Sequence, residues 1–255
     1  MSIRCATLNG VATIEIARPE KKNALTVEMY QAMADAINAA GADTAVRALL
    51  ITGQPGVFTS GNDLQDFLNR PRSIDMDATP VFRFMRALIG CDKPVVAAVT
   101  GTAIGIGVTM LLHCDFVYVS DEARLATSFT ALGLVPEFAS SLVMPQLMGG
   151  RRAAEKLLLG DPFGADQAVE CGIANAVLPA NEVLPHARRV AERFNSLPPG
   201  AVREAKRLTR EPHRAALLDA IQRENLQFAQ RLSSPEAREA MQAVLEKRKP
   251  DFSKF

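Results

Sequence analysis

Between residues 11 and 16 the chain alternates, with Ala12, Ile14 and Ile16 facing one way and Val11, Thr13 and Glu15 the other, the period of a strand with two different faces. Asn9-Gly10 lies immediately before it and is a strong two-residue hairpin signal, so the chain is expected to open with antiparallel strands. The period then changes. Met29, Met33 and Ile37 recur at spacing four behind Thr26, which can cap a helix, and Gly41 is a natural C-terminal stop for it. Ala48 to Ile51, closing at Gly53, is a short apolar run of the kind buried on both faces of a sheet. Pro94 to Val99 and Phe116 to Val119 repeat the pattern, and Ile106 to Leu112 between them reads as a short apolar helix. Beyond Pro136 the periodicity is almost wholly helical, and Pro198-Pro199-Gly200 breaks it ahead of a basic, amphipathic C-terminal part. There, Ala205, Leu208 and Leu217 through Leu226 predict a face packed on the core or on a neighbouring subunit. No tandem repeat or low-complexity tract interrupts the chain. The pattern predicts an α/β fold followed by a helical tail, and taken by itself it points to a doubly wound, Rossmann-like sheet.

Composition narrows the function classes. A chain of 255 residues with a formal net charge of +1 can build a large core and gives no electrostatic case for binding nucleic acid. Cys5, Cys91, Cys114 and Cys171 are scattered without CxxC spacing, so the expectation is reduced, ordinary thiols rather than a disulfide framework or a zinc site. Apolar runs such as Val95 to Val99 fall far short of the ~20 residues a membrane helix needs, and Arg4 follows too few residues for a secretory leader. A soluble, cytoplasmic protein is expected. The final Ser253-Lys254-Phe255 is near the peroxisomal tripeptide without matching it, and reads as a solvated tail.

Two glycine-bearing segments carry the candidate chemistry: Phe58-Thr59-Ser60-Gly61-Asn62-Asp63-Leu64 and Gly101-Thr102-Ala103-Ile104-Gly105-Ile106-Gly107. Glycine allows positive φ and close approach of a ligand to the backbone. The second segment runs straight into an apolar helix, so its amides and the helix dipole can face an anion. Spacing alone leaves two readings open, a ligand cradle or a tight strand-to-helix turn. A phosphate loop is not supported, because no Gly-Lys-Ser/Thr ending follows.

Arg18-Pro19 with Asn23-Ala24-Leu25, Phe58 to Leu64, Gly101 to Gly107 and Cys114-Asp115 occur in an order and spacing that resemble the enoyl-CoA hydratase/isomerase (crotonase) superfamily over nearly the whole chain. The resemblance displaces the Rossmann-like reading. It implies a crotonase-like β-β-α spiral core in residues 1–199 and a helical C-terminal region in residues 200–255 that serves assembly as a homotrimer or dimer of trimers. It also implies an acyl-CoA thioester as ligand, with coenzyme A part of the substrate and no separate cofactor. By position, the backbone amides of Asn62 and Ile106 would bind the thioester oxygen. Asn23, Ala24, Leu25, Ser60, Gly61, Asp63, Leu64, Gly105, Gly107 and Phe129 would line the substrate site. Asp63 is also a plain candidate for helix N-cap ahead of Leu64.

Water addition in the hydratase branch uses two glutamates. Counted from Gly107 and Asp115, their positions fall on Thr109 and Phe129, neither of which is a base near neutrality. Thr127-Ser128-Phe129 followed by Leu132-Gly133-Leu134-Val135-Pro136-Glu137 and Ser140-Ser141 is instead similar to the peroxisomal-type Δ3,Δ2-enoyl-CoA isomerase branch and its bacterial relatives. That similarity implies Glu137 as sole acid and base. The residue pattern by itself also allows Glu137 a plain role beside a helix N-terminus. Another crotonase-type activity (hydratase, thioesterase or decarboxylase) and a non-catalytic acyl-CoA-binding protein stand as alternatives. His113, His186 and His213 have no partner at catalytic spacing, Asp115 is expected to make structural hydrogen bonds, and Lys21, Lys22, Lys247, Arg248 and Lys249 read as solvated unless coenzyme A phosphates meet them.

Overall fold

Asn9 and Gly10, at φ 48° and 70°, turn β1 (Ile3–Leu8) back onto β2 (Val11–Ile16) as the expected antiparallel hairpin. In this computed structural model, which describes residues 2–69 and 79–255, the remaining strands are β3 (Ala48–Thr52), β4 (Val57–Thr59), β5 (Val95–Val99), β6 (Thr102–Ile104), β7 (Phe116–Ser120), β8 (Arg124–Ala126), β9 (Phe163–Gly164) and β10 (Ala176–Leu178). The α-helices are α1 (Val27–Ala42), α2 (Leu64–Asn69), α3 (Pro80–Gly90), α4 (Ile106–Thr109), α5 (Ser140–Met148), α6 (Gly150–Ala154), α7 (Ala165–Glu170), α8 (Ala180–Glu192), α9 (Pro199–Leu232) and α10 (Pro235–Leu245).

The strands form a six-stranded sheet, ordered β1-β2-β3-β5-β7-β10, and a four-stranded sheet, ordered β4-β6-β8-β9. From β2 to β10 every pairing in the larger sheet is parallel. The order advances steadily and never reverses, so the sheet has no topological switch point and the Rossmann-like reading fails. Successive units give one strand to each sheet and then a helix: β3 and β4 before α2, β5 and β6 before α4, β7 and β8 before α5. That winding is a β-β-α spiral.

Burial on both faces explains the uniform apolar runs. Leu49 and Ile51 of β3 point into the main core with Met29, Met33 and Ile37 of α1, while Ala48 and Leu50 point to the opposite face, covered by Val183, Ala187 and Ala191 of α8. Thr26 caps α1 as expected, its hydroxyl accepting from the Met29 amide. Gly41 does not stop the helix. It lies inside the last turn, and the stop falls at Asp43, whose carboxylate takes the Ala45 amide at 2.8 Å and whose own backbone is extended.

Two further expectations are corrected, and a third is left to the subunit alternative. Gly101 to Gly107 is not one loop: Gly101, at φ 70°, makes a corner so tight that a Cβ there would lie 1.9 Å from the Gly56 carbonyl oxygen, and Thr102–Ile104 then pair as β6. The part beyond Pro136 contains β9 and β10, which at two and three residues are too short to show a period. Ala205 and Leu208 are exposed in the single chain, Leu208 to 76%; the buried stripe of α9 is Leu217, Ala220, Ile221, Glu224 and Phe228.

Candidate active site

The two glycine segments leave neighbouring parallel strands in the same direction, because β4 pairs with β6 and both loops emerge at the strands' C-terminal ends. Gly61 has φ 90°, and a Cβ on it would come within 3.0 Å of the Ile104 carbonyl oxygen, so the loops touch through backbone. Gly105 has positive φ (φ 56°, ψ −117°) and donates to the Ala126 carbonyl at 2.8 Å, which fixes the entry to α4 from the far side. A Cβ on Gly107 would strike the Thr59 methyl at 2.6 Å, so the first turn of α4 lies directly on β4. Among the described residues, neither the Asn62 nor the Ile106 amide is donated to a protein acceptor. Two adjacent loops thus each hold an N–H that no acceptor among the described residues takes.

Other residues lock the first loop. Leu25 forms a bridge with Asn62, exchanging the bonds Leu25 N to Gly61 O at 2.8 Å and Asp63 N to Leu25 O at 2.9 Å. Arg18 reaches both sides of that bridge, donating to the Ala24 carbonyl at 3.0 Å and to the Asp63 carboxylate at 2.7 Å. Burial pushes the Asp63 carboxyl up, but bonds from Arg18 and the amides of Gln65 and Asp66 outweigh it and hold the group below its ordinary value. Asp63 accepts from the Gln65 amide at the start of α2, the cap role read from the sequence. Asn23 is wholly buried; its side chain donates to the Val57 and Phe58 carbonyls and accepts from the Arg18 amide. Asn23 and Leu25 therefore brace the first loop from behind, and Ala24, Ser60 and Leu64 are half-buried.

Glu137 sits at the turn into α5 and is 8% exposed. Its segment is tied to the rest of the candidate site in two ways. The Leu134 amide donates to the Phe129 carbonyl at 2.9 Å, the Phe129 ring lies 3.7 Å from where a Cβ on Gly105 would stand, and Leu64, Phe129, Leu134 and Val135 belong to one apolar cluster. An aromatic run also links the two ends: the Tyr30 hydroxyl bonds the Asn62 side chain, Tyr30 meets Phe84 at 5.6 Å between centroids, and Phe84 meets Phe138 at 6.0 Å. Phe138 is stacked in turn on His113, 4.0 Å away. Since the Phe138 carbonyl only accepts, the His113 Nε2 must carry the proton it donates at 2.8 Å, and burial pushes that ring down to about 4. His113 is thus a neutral prop.

Thr109 and Phe129 are both buried, and the Thr109 hydroxyl has no hydrogen-bond partner among the described residues. Asp115 accepts from the Val95 amide at 2.8 Å, as expected of a structural carboxylate, and also pairs with Lys206 at 2.6 Å and Arg210 at 2.8 Å, fastening α9 to the larger sheet. Cys91, Cys114 and Cys171 are buried thiols, Cys114 pushed up to about 12 by burial, while Cys5 is exposed. Lys21, Lys22, Lys247, Arg248 and Lys249 are exposed. No group of acidic, histidine or cysteine side chains among the described residues could hold a metal, and no helix among them is long and apolar enough to cross a membrane.

Sequence reasoning missed Tyr30 and Glu224. The Glu224 carboxylate accepts from the Ala139 amide at 2.6 Å and from the Ser141 amide at 2.9 Å, just past Glu137. One signal was available, a lone charge within the stripe Leu217, Ile221, Glu224, Phe228.

Comparison with known proteins agrees with this architecture. A family model described as enoyl-CoA hydratase/isomerase matches residues 6–254. Human enoyl-CoA delta isomerase 2 is 35% identical over 214 residues, which is 82% of this chain and 54% of that protein, so the chain spans about half the relative's length. The crotonyl-CoA hydratase of Syntrophomonas wolfei is 32% identical over 247 residues, 95% of this chain and 94% of the relative. Among solved structures, Pseudomonas aeruginosa OdaA superposes with a TM-score of 0.93 at 50% identity, covering 96% of this chain and 98% of that one. The chain therefore belongs to the enoyl-CoA hydratase/isomerase family.

Proposed function

We propose that this protein is a Δ3,Δ2-enoyl-CoA isomerase in which Glu137 moves one proton between two carbons. The observation that carries the reading is a buried carboxylate at 137, just past Leu134 and Val135, which share an apolar cluster with Phe129, with Thr109 and Phe129 where a water-adding relative would need its two glutamates. The amides of Asn62 and Ile106 donate to the thioester carbonyl oxygen. Glu137 takes a proton from C2 of a 3-enoyl thioester, the negative charge spreads to the oxygen held by the amides, and the carboxyl returns its proton at C4. The double bond then lies between C2 and C3. The chemistry calls for no metal or cofactor, since coenzyme A enters as part of the substrate. Asn23, Ala24, Leu25, Ser60, Gly61, Asp63, Leu64, Gly105, Gly107 and Phe129 form the wall on this reading, and residues 200–255 carry assembly as a homotrimer or a dimer of trimers. Similarity to the human delta isomerase supports the assignment.

Similarity to the Syntrophomonas hydratase over most of both chains favours hydration as the second reading. One parallel assay separates them, 3-hexenoyl-CoA isomerisation against crotonyl-CoA hydration. Glu137→Gln should keep acyl-CoA affinity and lose isomerisation by at least ~10²–10⁴, the usual worth of a general acid–base group. Thr109→Ala should be mild. Near-parent isomerisation by Glu137→Gln, or brisk hydration by the parent, would transfer the assignment to the second reading.

A further inference from the structure

Glu224 lies on α9, 85 positions in sequence beyond Ala139, yet its carboxylate ends on the two amides that follow the catalytic candidate. It is 7% exposed and, among the described residues, forms no ion pair; burial pushes its carboxyl above the ordinary range. Its charge is met instead by the start of α5, where Ala139 is the N-cap and offers no side chain of its own. An anion is favoured there by the dipole and by the unsatisfied first amides.

The backbone at this point needs such help. Phe138 and Ala139 are consecutive non-glycine residues in the left-handed region, at φ 59° and 57°, a conformation that costs energy and persists only where surroundings enforce it. His113 holds the Phe138 carbonyl, and Glu224 holds the next two available amides on either side of Ser140, whose own amide returns to the Glu137 carbonyl at 3.1 Å. The direction in which the Glu137 side chain leaves the backbone is therefore set from α9.

We infer that Glu224 is a positioning residue for Glu137: its two bonds to the 139–141 turn aim the carboxyl that shuttles the proton, so the C-terminal helix is part of the active site's framework. This rests on the function proposed above. A carboxyl shared between C2 and C4 tolerates little displacement, and a misplacement of about 1 Å can cost ~10²-fold.

The test compares variants on 3-hexenoyl-CoA. Glu224→Gln keeps the volume but sets an NH2 group against one of the two amides; kcat should fall by ~10- to 100-fold while KM and the affinity for saturated hexanoyl-CoA stay within about threefold. Ile221→Ala, one turn earlier on the same buried stripe, loosens α9 without touching the turn, and should lower the unfolding midpoint while kcat stays within about threefold. In a Glu137→Gln background the Glu224→Gln change should add little, as expected of two residues acting as one unit. Should Glu224→Gln not fold, Glu224→Asp, which keeps the charge but shortens the reach, serves the same comparison. A near-parent kcat in Glu224→Gln beside an inactive Glu137→Gln overturns this inference alone, as does an equal loss in Ile221→Ala or a full-sized loss in the Glu137→Gln background. Near-parent isomerisation by Glu137→Gln overturns the proposed function and this inference with it.

Discussion

Replacing Gly61 by alanine asks whether the two loops act as one oxyanion site. Gly61 has φ 90°, where an L-residue pays roughly 1–2 kcal/mol for the left-handed conformation. The new methyl would also stand 3.0 Å from the Ile104 oxygen and 3.6 Å from its carbonyl carbon, both backbone atoms at the end of a strand paired on both sides. A backbone so held yields little, so residues 60–63 must shift, and Asn62 is the next residue. Gly56→Ala is the control: its φ of 79° carries a similar conformational penalty, but nothing lies within 4 Å of its Cβ and it sits in the turn before β4. Both variants should lose about 1–3 kcal/mol of stability, read as a fall in thermal midpoint of ~2–4 °C per kcal/mol. Only Gly61→Ala should lose catalysis, by up to ~10²–10³ in kcat for isomerisation of 3-hexenoyl-CoA if the Asn62 donor is displaced. Equal activities in the two alanine variants, at equal loss of stability, would show that the Asn62 amide does not hold the reacting oxygen.

Three further outcomes are expected. Tyr30→Phe removes the hydroxyl bonded to the Asn62 side chain, and should lower kcat by roughly 2- to 10-fold at unchanged KM, the worth of one net hydrogen bond; steady-state kinetics decides it. Asn23→Ala removes the side-chain bonds to the Val57 and Phe58 carbonyls and the acceptor of the Arg18 amide, at a position with φ 56°, and should cost ~2–4 kcal/mol in urea unfolding. His113 is buried as the neutral ring with its pKa lowered from 6.5 to about 4, so its contribution is complete above 6.5 and is lost as pH falls through that window, roughly 3 kcal/mol in all. In His113→Phe, which can keep the stacking on Phe138, that part of the acid slope should vanish from urea midpoints measured between pH 7 and pH 4; an unchanged slope would mean that the buried ring is not what titrates.

What could be read from sequence divides by range. The opening hairpin, α1 and the buried strands β3, β5 and β7 were legible, since each is long enough to show a period or an unbroken apolar run. β6, β9 and β10 were not, at two or three residues each. Even so, the two glycine segments stood out as special backbone, because Gly61, Gly101 and Gly105 stand where close approach or positive φ excludes other side chains. What sequence could not give was which strand leads into which loop. The β4 to β6 pairing that sets the loops side by side joins residues more than forty positions apart, and nothing local encodes it. The same holds for Glu224, whose partners lie 83 and 85 positions away.

The left-handed pair Phe138-Ala139 shows why local rules fail where they matter most. Glycine at 138 or 139 would relax the backbone, and local preference would choose it. At 138, however, the ring is needed: it fills the space between Phe84 and His113 and continues the aromatic contact that reaches Tyr30 and, through it, Asn62. A glycine there would leave a void in the core and free the turn that carries Glu137. The chain instead keeps the strained residues and supplies opposing contacts from elsewhere, His113 on the Phe138 carbonyl and Glu224 on the amides beyond it. Both supports are buried, and both come from segments that sequence alone places in ordinary packing roles. On the proposed function, a single carboxylate that must meet two carbons of one substrate gains from a turn over-determined in this way, because freedom at that turn would spread Glu137 over orientations serving neither carbon. Strain at 138 and 139, the neutral histidine and the buried glutamate are thus three parts of one device, which only the folded chain assembles.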